Sequence, residues 1–328
     1  MDLVSIIAIG ACVLLAINVG GNNSAAEMGP AFGSGIRSKM EAVILIAIFS
    51  MLGAIFKGDK VVHTIASGLI GEAPLKSDFR NVILVLLAAT SIIAFANWFK
   101  LPVATAHAMV GAVIGLGIFH ASVQWHKVSG IVVWWLLTPV ASLVISYALG
   151  HLVYPALNRK LGPVSHKGGP AHMFYRAFVT LSGCYMAFSA GSNSLAKAVG
   201  PIVGAGILTV NHAAILGGLC MALGAFLVGH RLLNTVGKEL TPLDPLKATM
   251  VELVCGSILL VASSFGVPVS LAETVTCSVI GFGMAHIGIR EMSRNKHLRR
   301  IYALWPVCPV YTAIVSYSGA WLLSKFSF

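Results

Sequence analysis

Long runs of apolar residues, each closed by a short polar or glycine-rich break, recur along the whole chain. They lie approximately over Leu3–Val19, Met40–Phe56, Val82–Phe99, Val103–Phe119 and Ile131–Tyr154, then over Phe174–Ala190, His212–Val228, Val251–Phe265, Val267–Ile287 and Ile301–Leu323. A hydrocarbon layer about 30 Å thick takes roughly 17 to 25 residues of helix. The runs do not alternate as barrel strands would, and backbone in lipid must satisfy its own hydrogen bonds. The pattern therefore predicts an all-α membrane protein with about ten transmembrane spans. The spans form two sets of five with similar spacing, which divides the chain into a first unit, 1–154, a basic cytoplasmic linker, 155–173, and a second unit, 174–328.

Composition agrees with that solvent. Of 328 residues, 57% are hydrophobic and only 10% charged, and the mean hydropathy is +0.87, which excludes an ordinary water-soluble domain. The 34 glycines and 13 prolines suit a packed membrane bundle. The first apolar run follows Asp2 instead of a basic segment and has no small-residue cleavage site before Asn22 and Asn23, so it reads as retained. The six cysteines form no C-x-x-C pair and read as packing residues. The formal net charge of +11 is spread over membrane-flanking loops without a nucleic-acid motif. Most basic residues, Arg37, Lys39, Arg159, Lys160, Lys167 and Arg176 among them, fall on one face when the spans are counted off. The positive-inside rule makes that face cytoplasmic and puts both termini outside.

Sliding the chain against itself exposes a repeat. At an offset of 171, Gly20, Asn22, Ala25, Gly29, Pro30, Gly33 and Gly35 fall on Gly191, Asn193, Ala196, Gly200, Pro201, Gly204 and Gly206. Gly58, Lys60, Val61, Thr64 and Ile65 fall on Gly229, Arg231, Leu232, Thr235 and Val236. At a slightly smaller offset, Pro102-Val103-Ala104-Thr105-Ala106-His107 aligns with Pro268-Val269-Ser270-Leu271-Ala272-Glu273. An odd number of crossings per copy inserts the second from the opposite side, the inverted-repeat plan of many secondary transporters.

Within the first motif, Asn22-Asn23-Ser24 and Ser192-Asn193-Ser194 interrupt apolar helices ahead of Gly-Pro-rich stretches. Asn, Ser and Gly favour helix caps, so the spacing predicts broken helices with new half-helices starting at both sites. Their unpaired amides and positive ends would form an anion site. The alternative is a pair of plain surface turns; duplication of the motif favours the site.

The segments Gly20-Gly21-Asn22-Asn23-Ser24-Ala25-Ala26 and Gly191-Ser192-Asn193-Ser194-Leu195-Ala196 resemble the duplicated Gly-Ala-Asn-Asp-Val-Ala-Asn signature of the inorganic phosphate transporter (PiT) family. Pro102–His107 resembles that family's Pro-Val-Ser-Thr-Thr-His, and Thr235 to Pro245 its Ile-Thr-x-Leu-x-Pro stretch. The resemblance spans nearly the whole chain and implies a homodimer in a bacterial inner (cell) membrane. Where the family signature has aspartates serving sodium and phosphate, this chain has Asn23 and Ser194. A neutral, donor-rich site suits sulfate, which is fully deprotonated near pH 7, better than phosphate, which still carries a proton needing an acceptor. The chain thus resembles the sulfate-permease branch of the family.

These readings converge on a secondary active transporter of an inorganic oxyanion, sulfate first, by proton symport with alternating access. The expected substrate contacts are Asn22, Asn23, Ser24, Thr105, Asn193, Ser194 and Ser270. With the signature aspartates gone, a proton replaces sodium, and Glu27, His107, Lys197 and Glu273 are the candidate proton-coupling or charge-compensating residues within apolar segments. Lys197 either neutralises the anion or pairs with Glu27 or Glu273. Glu252 reads as a residue that begins a helix, and His107 has the alternative of a packing histidine. A sodium- or proton-coupled phosphate transporter is the alternative function, and a passive anion channel or an intramembrane enzyme the alternatives of another class. No catalytic grouping, nucleotide-binding loop or metal-ligand spacing is evident in the sequence, so no enzyme activity, cofactor or metal is expected. The expected partners are the anion, its coupling proton or sodium, and lipid, without nucleic acid.

Overall fold

The computed structural model describes residues 2–33, 35–99, 101–161, 170–229, 244–288 and 296–325. In chain order the helices are α1 (Leu3–Gly33), α2 (Lys39–Lys57), α3 (Asp59–His63), α4 (Ala73–Lys76), α5 (Phe79–Trp98), α6 (Thr105–Phe119), α7 (Trp125–Ala148), α8 (Tyr154–Leu161), α9 (Pro170–Gly204), α10 (Val210–Gly224), α11 (Pro245–Ser264), α12 (Leu271–Ile287) and α13 (Lys296–Lys325). π-Helical turns follow α3, join α7 to α8 and extend α10. Many large apolar side chains face outward, such as Ile6, Phe95, Leu136, Leu219 and Ile314, as expected where lipid replaces water around a multi-pass membrane bundle.

Each of the ten apolar runs contains a helix, but the helices are not ten equivalent spans. Among the described residues, seven are long and apolar enough to cross a membrane by length and composition. The short apolar helices α6 and α12 have 15 and 17 residues, about 22 and 26 Å of helix at ~1.5 Å per residue, less than the hydrocarbon thickness. The sixth run lies within α9, 35 residues long, whose buried face carries Ser182, Ser189, Ser192, Asn193, Ser194 and Lys197.

The expected breaks at Asn22–Ser24 and Ser192–Ser194 do not occur, because α1 and α9 run unbroken through both motifs. The small hydroxyls fold back on their own helix instead of competing with it: Ser24 Oγ donates to Gly21 O and Ser192 Oγ to Ser189 O. The interruptions lie at the second motif. Residues 99–104 separate α5 from α6, and residues 265–270 separate α11 from α12. Pro102 and Pro268 lack an amide donor and push the residue before them out of the helical region. Asn81, in the first turn of α5, comes within 3.4 Å of His120, just past α6. The two helices thus form an antiparallel hairpin whose described tip residues are 99 and 101–104; α11 and α12 adjoin a second tip, 265–270.

Close helix approaches occur in matched sets. A Cβ on Gly20 would lie 2.1 Å from the Met221 carbonyl oxygen, and one on Gly191 would lie 1.9 Å from that of Ser50. A Cβ on Gly224 would lie 1.9 Å from Ile17 O, and one on Gly53 1.8 Å from Phe188 O. Gly20 and Gly191, Ser50 and Met221, Ile17 and Phe188, and Gly53 and Gly224 are all 171 positions apart. So α1 packs on α10 as α9 packs on α2, with partners exchanged.

One apolar cluster gathers α5, α6, the first half of α1 and the end of α9, and another gathers α2, α11, α12 and the first part of α9. Of the anticipated linker 155–173, α8 takes the part up to Leu161 and α9 the part from Pro170, and residues 162–169 lie outside the described residues. The Thr235 to Pro245 motif lies outside them up to residue 243, so only Asp244 and Pro245 of that stretch are placed.

Candidate functional site

Asn22 and Asn193 grip the two hairpin tips in the same way. Asn22 Nδ2 donates to Leu101 O at 3.2 Å and to Asn97 Oδ1 at 2.8 Å, while its Oδ1 accepts the Val103 N–H at 3.1 Å. Asn193 Nδ2 donates to Val267 O at 2.9 Å and to Ser263 Oγ at 3.1 Å, and its Oδ1 accepts the Val269 N–H at 3.1 Å. Each amide satisfies one carbonyl and one N–H of a buried non-helical stretch, groups that would otherwise be costly. Both side chains, expected to touch substrate, are engaged by protein.

The first turns of α6 and α12 meet between these clamps. His107 Nδ1 approaches Glu273 Oε1 to 3.3 Å and Trp305 O to 3.4 Å, and the imidazole packs on the Trp135 ring at 3.8 Å between centroids. His107 and Glu273 are each the third residue of their helix, so the two helix N-termini converge and direct their partial positive charge to one place. The α6 terminus has no side-chain cap, whereas Ser270 caps α12 by accepting the Glu273 N–H at 3.3 Å. The helix starts expected at Ser24 and Ser194 lie instead at Thr105 and Leu271.

Lys197 lies at the centre of the buried charges. Its Nζ donates to Val269 O at 2.8 Å and to Ser194 Oγ at 3.4 Å, and it interacts electrostatically with both Glu273 and Glu27. Glu27 Oε2 accepts the Ser50 hydroxyl at 3.0 Å, and its Oε1 has no hydrogen-bond partner. All four anticipated charge-handling residues, Glu27, His107, Lys197 and Glu273, are buried.

Asn23 differs from every other amide here. It is 1% exposed, and neither its Nδ2 nor its Oδ1 has a hydrogen-bond partner, a state that native proteins rarely tolerate without a ligand or water. Its repeat equivalent, Ser194, accepts from Lys197. Ser24 turns instead toward Gly229, where a Cβ would come within 1.9 Å of its hydroxyl. Thr105 and Ser270 are buried at the starts of α6 and α12.

Several residues beyond those anticipated bond to the buried polar groups. Asn97 and Ser263 are second partners of the clamps, and their common offset of 166 from one another is a repeat signal that the motif alignment extends to. Ser50 and Ser182, by contrast, are single serines in apolar runs with no distinguishing pattern. Glu252 does not begin a helix: it lies in the second turn of α11, fully buried, with Ser182 Oγ donating to its Oε2.

A family model described as the phosphate transporter family matches residues 19–316. The sulfate permease CysP of Bacillus subtilis (strain 168) is 32% identical over 307 residues, covering 93% of this chain and 84% of the relative. A solved structure, the sodium-dependent phosphate transporter, superposes with a TM-score of 0.85 at 24% identity, over 99% of this chain and 100% of that one, a likeness of fold. The family and this relative are transporters and not enzymes.

Proposed function

We propose that this chain, which belongs to the phosphate transporter family, is a secondary active transporter that carries sulfate inward with protons by alternating access. The observation that carries the reading is Asn23, a buried amide with no partner in the protein, on the same clamp helix that holds the tip leading into α6. An oxyanion there would receive the Asn23 Nδ2 donor and the amides at the starts of α6 and α12, with Lys197 offsetting its charge. Thr105, Ser194 and Ser270 would supply hydroxyls, while Asn22 and Asn193 hold the tips in place, and Ser24 fixes α1 against Gly229.

Neutral side chains at 23 and 194 favour sulfate, which wants donors only, over phosphate, which also wants an acceptor. The relative named for sulfate permease activity supports the same choice. Glu27, His107, Lys197 and Glu273 would handle the coupling proton, because no carboxylate stands at the two signature positions to hold sodium. The exchanged partners of α1, α2, α9 and α10 support two inverted repeats, 1–154 and 174–328, whose rearrangement would expose the site alternately. With each hairpin entering and leaving on one side, each repeat would cross an odd number of times. Both termini would then lie outside a bacterial inner membrane, and the working unit would be a homodimer.

Sodium-driven phosphate transport is the second reading, favoured by the family description and by the name of the solved structure. Purified protein in liposomes decides between them through radiolabelled sulfate and phosphate uptake, with a proton or a sodium gradient imposed singly. Sulfate accumulation that requires the proton gradient upholds the first reading. Phosphate accumulation driven by sodium replaces it with the second, and flux that only dissipates gradients points to a passive channel.

A further inference from the structure

One buried acid takes no part in the site described above. Glu252 is completely buried in α11; its Oε2 accepts the Ser182 hydroxyl, the Ala31 backbone amide lies against the carboxyl, and Oε1 has no hydrogen-bond partner. No ion pair reaches it among the described residues. A structural carboxylate in such a position would be paired or fully bonded, since an isolated buried charge is expensive. An intramembrane acid left half-satisfied is the usual mark of a group that gains and loses a proton.

Its surroundings place it in line with the buried charges of α1 and α9. Ala31 is one helical turn beyond Glu27 on α1, so Glu27 and the contact to Glu252 lie on one stripe of the helix. Glu27 couples in turn to Lys197, and Lys197 to Glu273 beside His107. In the other direction Glu252 is about two turns from the start of α11, and Ala31 is two residues from the end of α1. Several groups face α11: Tyr185 of α9 at Ser257, Tyr175 of α9 and His286 of α12 near its start, and Arg37, which reaches Cys184. Cys184 comes from α9, Cys255 from α11 itself with Cys277 of α12 behind it, and Ser142 comes from α7. Tyr154 of α8 meets the start of α11 at Asp244 and at Lys247, whose ammonium is paired with Asp244, and Lys60 of α3 meets it at the far end, at Ser264. None of these brings a positive charge to Glu252.

We infer that Glu252 is a proton-carrying residue of the transport cycle, the relay between the Glu27–Lys197–Glu273 cluster and the end of the bundle where α1 ends and α11 begins. One proton is bound as the carboxylic acid and released to water at that end in each cycle; nothing is oxidised or reduced. The inference rests on the proton-symport reading above.

Exchange and accumulation separate the two. In liposomes, Glu252→Gln should retain exchange of external labelled sulfate for internal unlabelled sulfate at equal pH, within about threefold of the unmodified protein, while losing accumulation driven by an imposed proton gradient. Glu252→Asp should accumulate sulfate with a displaced pH profile. Proton-driven accumulation retained in Glu252→Gln overturns the inference, and so does loss of exchange together with accumulation in correctly folded protein. Infrared difference spectra on a pH jump give a reading independent of transport and of folding yield. The carboxylic C=O band should lose intensity in Glu252→Gln, and an unchanged spectrum overturns the assignment. If the unmodified protein ignores the proton gradient, the proton-symport reading fails instead, and the infrared result still reports on Glu252.

Discussion

Asn193 holds Val269 through its amide oxygen, which accepts the Val269 N–H at 3.1 Å, and Asn22 holds Val103 at the same distance. Alanine at either position strands a buried N–H and a buried C=O in a hairpin tip, each at a cost of about 1–3 kcal/mol. Asn22→Ala and Asn193→Ala should therefore insert into the membrane yet lose sulfate uptake at least about tenfold, a factor worth ~1.4 kcal/mol. Hydrogen exchange should quicken at residues 101–104 in the first variant and at 267–270 in the second. Near-normal uptake in both would sink the clamp as a working part of the transporter.

Asn23 has no bond to lose, so its variants should behave differently. Asn23→Ala should leave hydrogen exchange in both tips unchanged while weakening sulfate binding. Asn23→Asp combined with Ser194→Asp, which restores the carboxylates of the family signature, should weaken it further by repelling a dianion. The half-saturating sulfate concentration is expected to rise by more than about tenfold in the double variant, with sodium dependence appearing alongside. Unchanged sulfate kinetics in both would remove Asn23 from the substrate site.

The four glycines at the crossed helix contacts make a stability test of the exchanged packing. Alanine at Gly53 or Gly224 would place a Cβ within 1.8 or 1.9 Å of a carbonyl oxygen of the facing helix, and that oxygen belongs to backbone that cannot swing aside. Overpacking of this kind costs about 1–3 kcal/mol, and both variants should unfold at lower temperature by similar amounts. Gly10→Ala is the control, since a Cβ there meets nothing within 4 Å and helix propensity favours alanine by ~1 kcal/mol. A destabilised Gly10→Ala alongside unaffected Gly53→Ala and Gly224→Ala would contradict the packing described.

The sequence carried the composition, the membrane class and the repeat plainly, because hydropathy and a fixed offset are properties of the string itself. It misplaced the breaks. Asn22-Asn23-Ser24 reads as a helix stop by local propensity, but Ser24 bonds within its helix and Asn22 bonds 79 and 81 residues away, contacts no local rule anticipates. Pro102 and Pro268 carried the signal for the true interruptions within the aligned second motif. Glu252 was visible as a charge near the start of an apolar run, but its burial against Ala31 and Ser182 comes from the packing of α1 and α9 on α11, not from the run. His107 and Glu273 were paired through the repeat as equivalent positions; their approach to 3.3 Å depends on two hairpins meeting tip to tip.

Asp244 offers a pH-dependent test outside the spans. It is the N-cap of α11, accepting the Lys247 N–H at 3.0 Å, the Tyr154 hydroxyl at 2.7 Å and the Lys247 ammonium at 3.2 Å. Burial alone would raise its pKa, but the Lys247 amide, the Tyr154 hydroxyl and the Lys247 charge together hold it below the ordinary carboxylate value. A carboxyl whose folded value is depressed contributes stability in full above its unfolded value, about 3.9, and loses that contribution as pH falls through the folded value. Asp244→Ala should therefore be less stable than the unmodified protein at pH 7, by about 1 kcal/mol for the lost cap, with the gap narrowing below about pH 4. Asp244→Asn keeps a good cap without the charge, so it should fall between the two at pH 7 and lack the steep acid limb. Thermal unfolding of the three proteins in detergent from pH 7 to pH 3 measures this, and a gap that widens toward acid would reverse the sign assigned to Asp244.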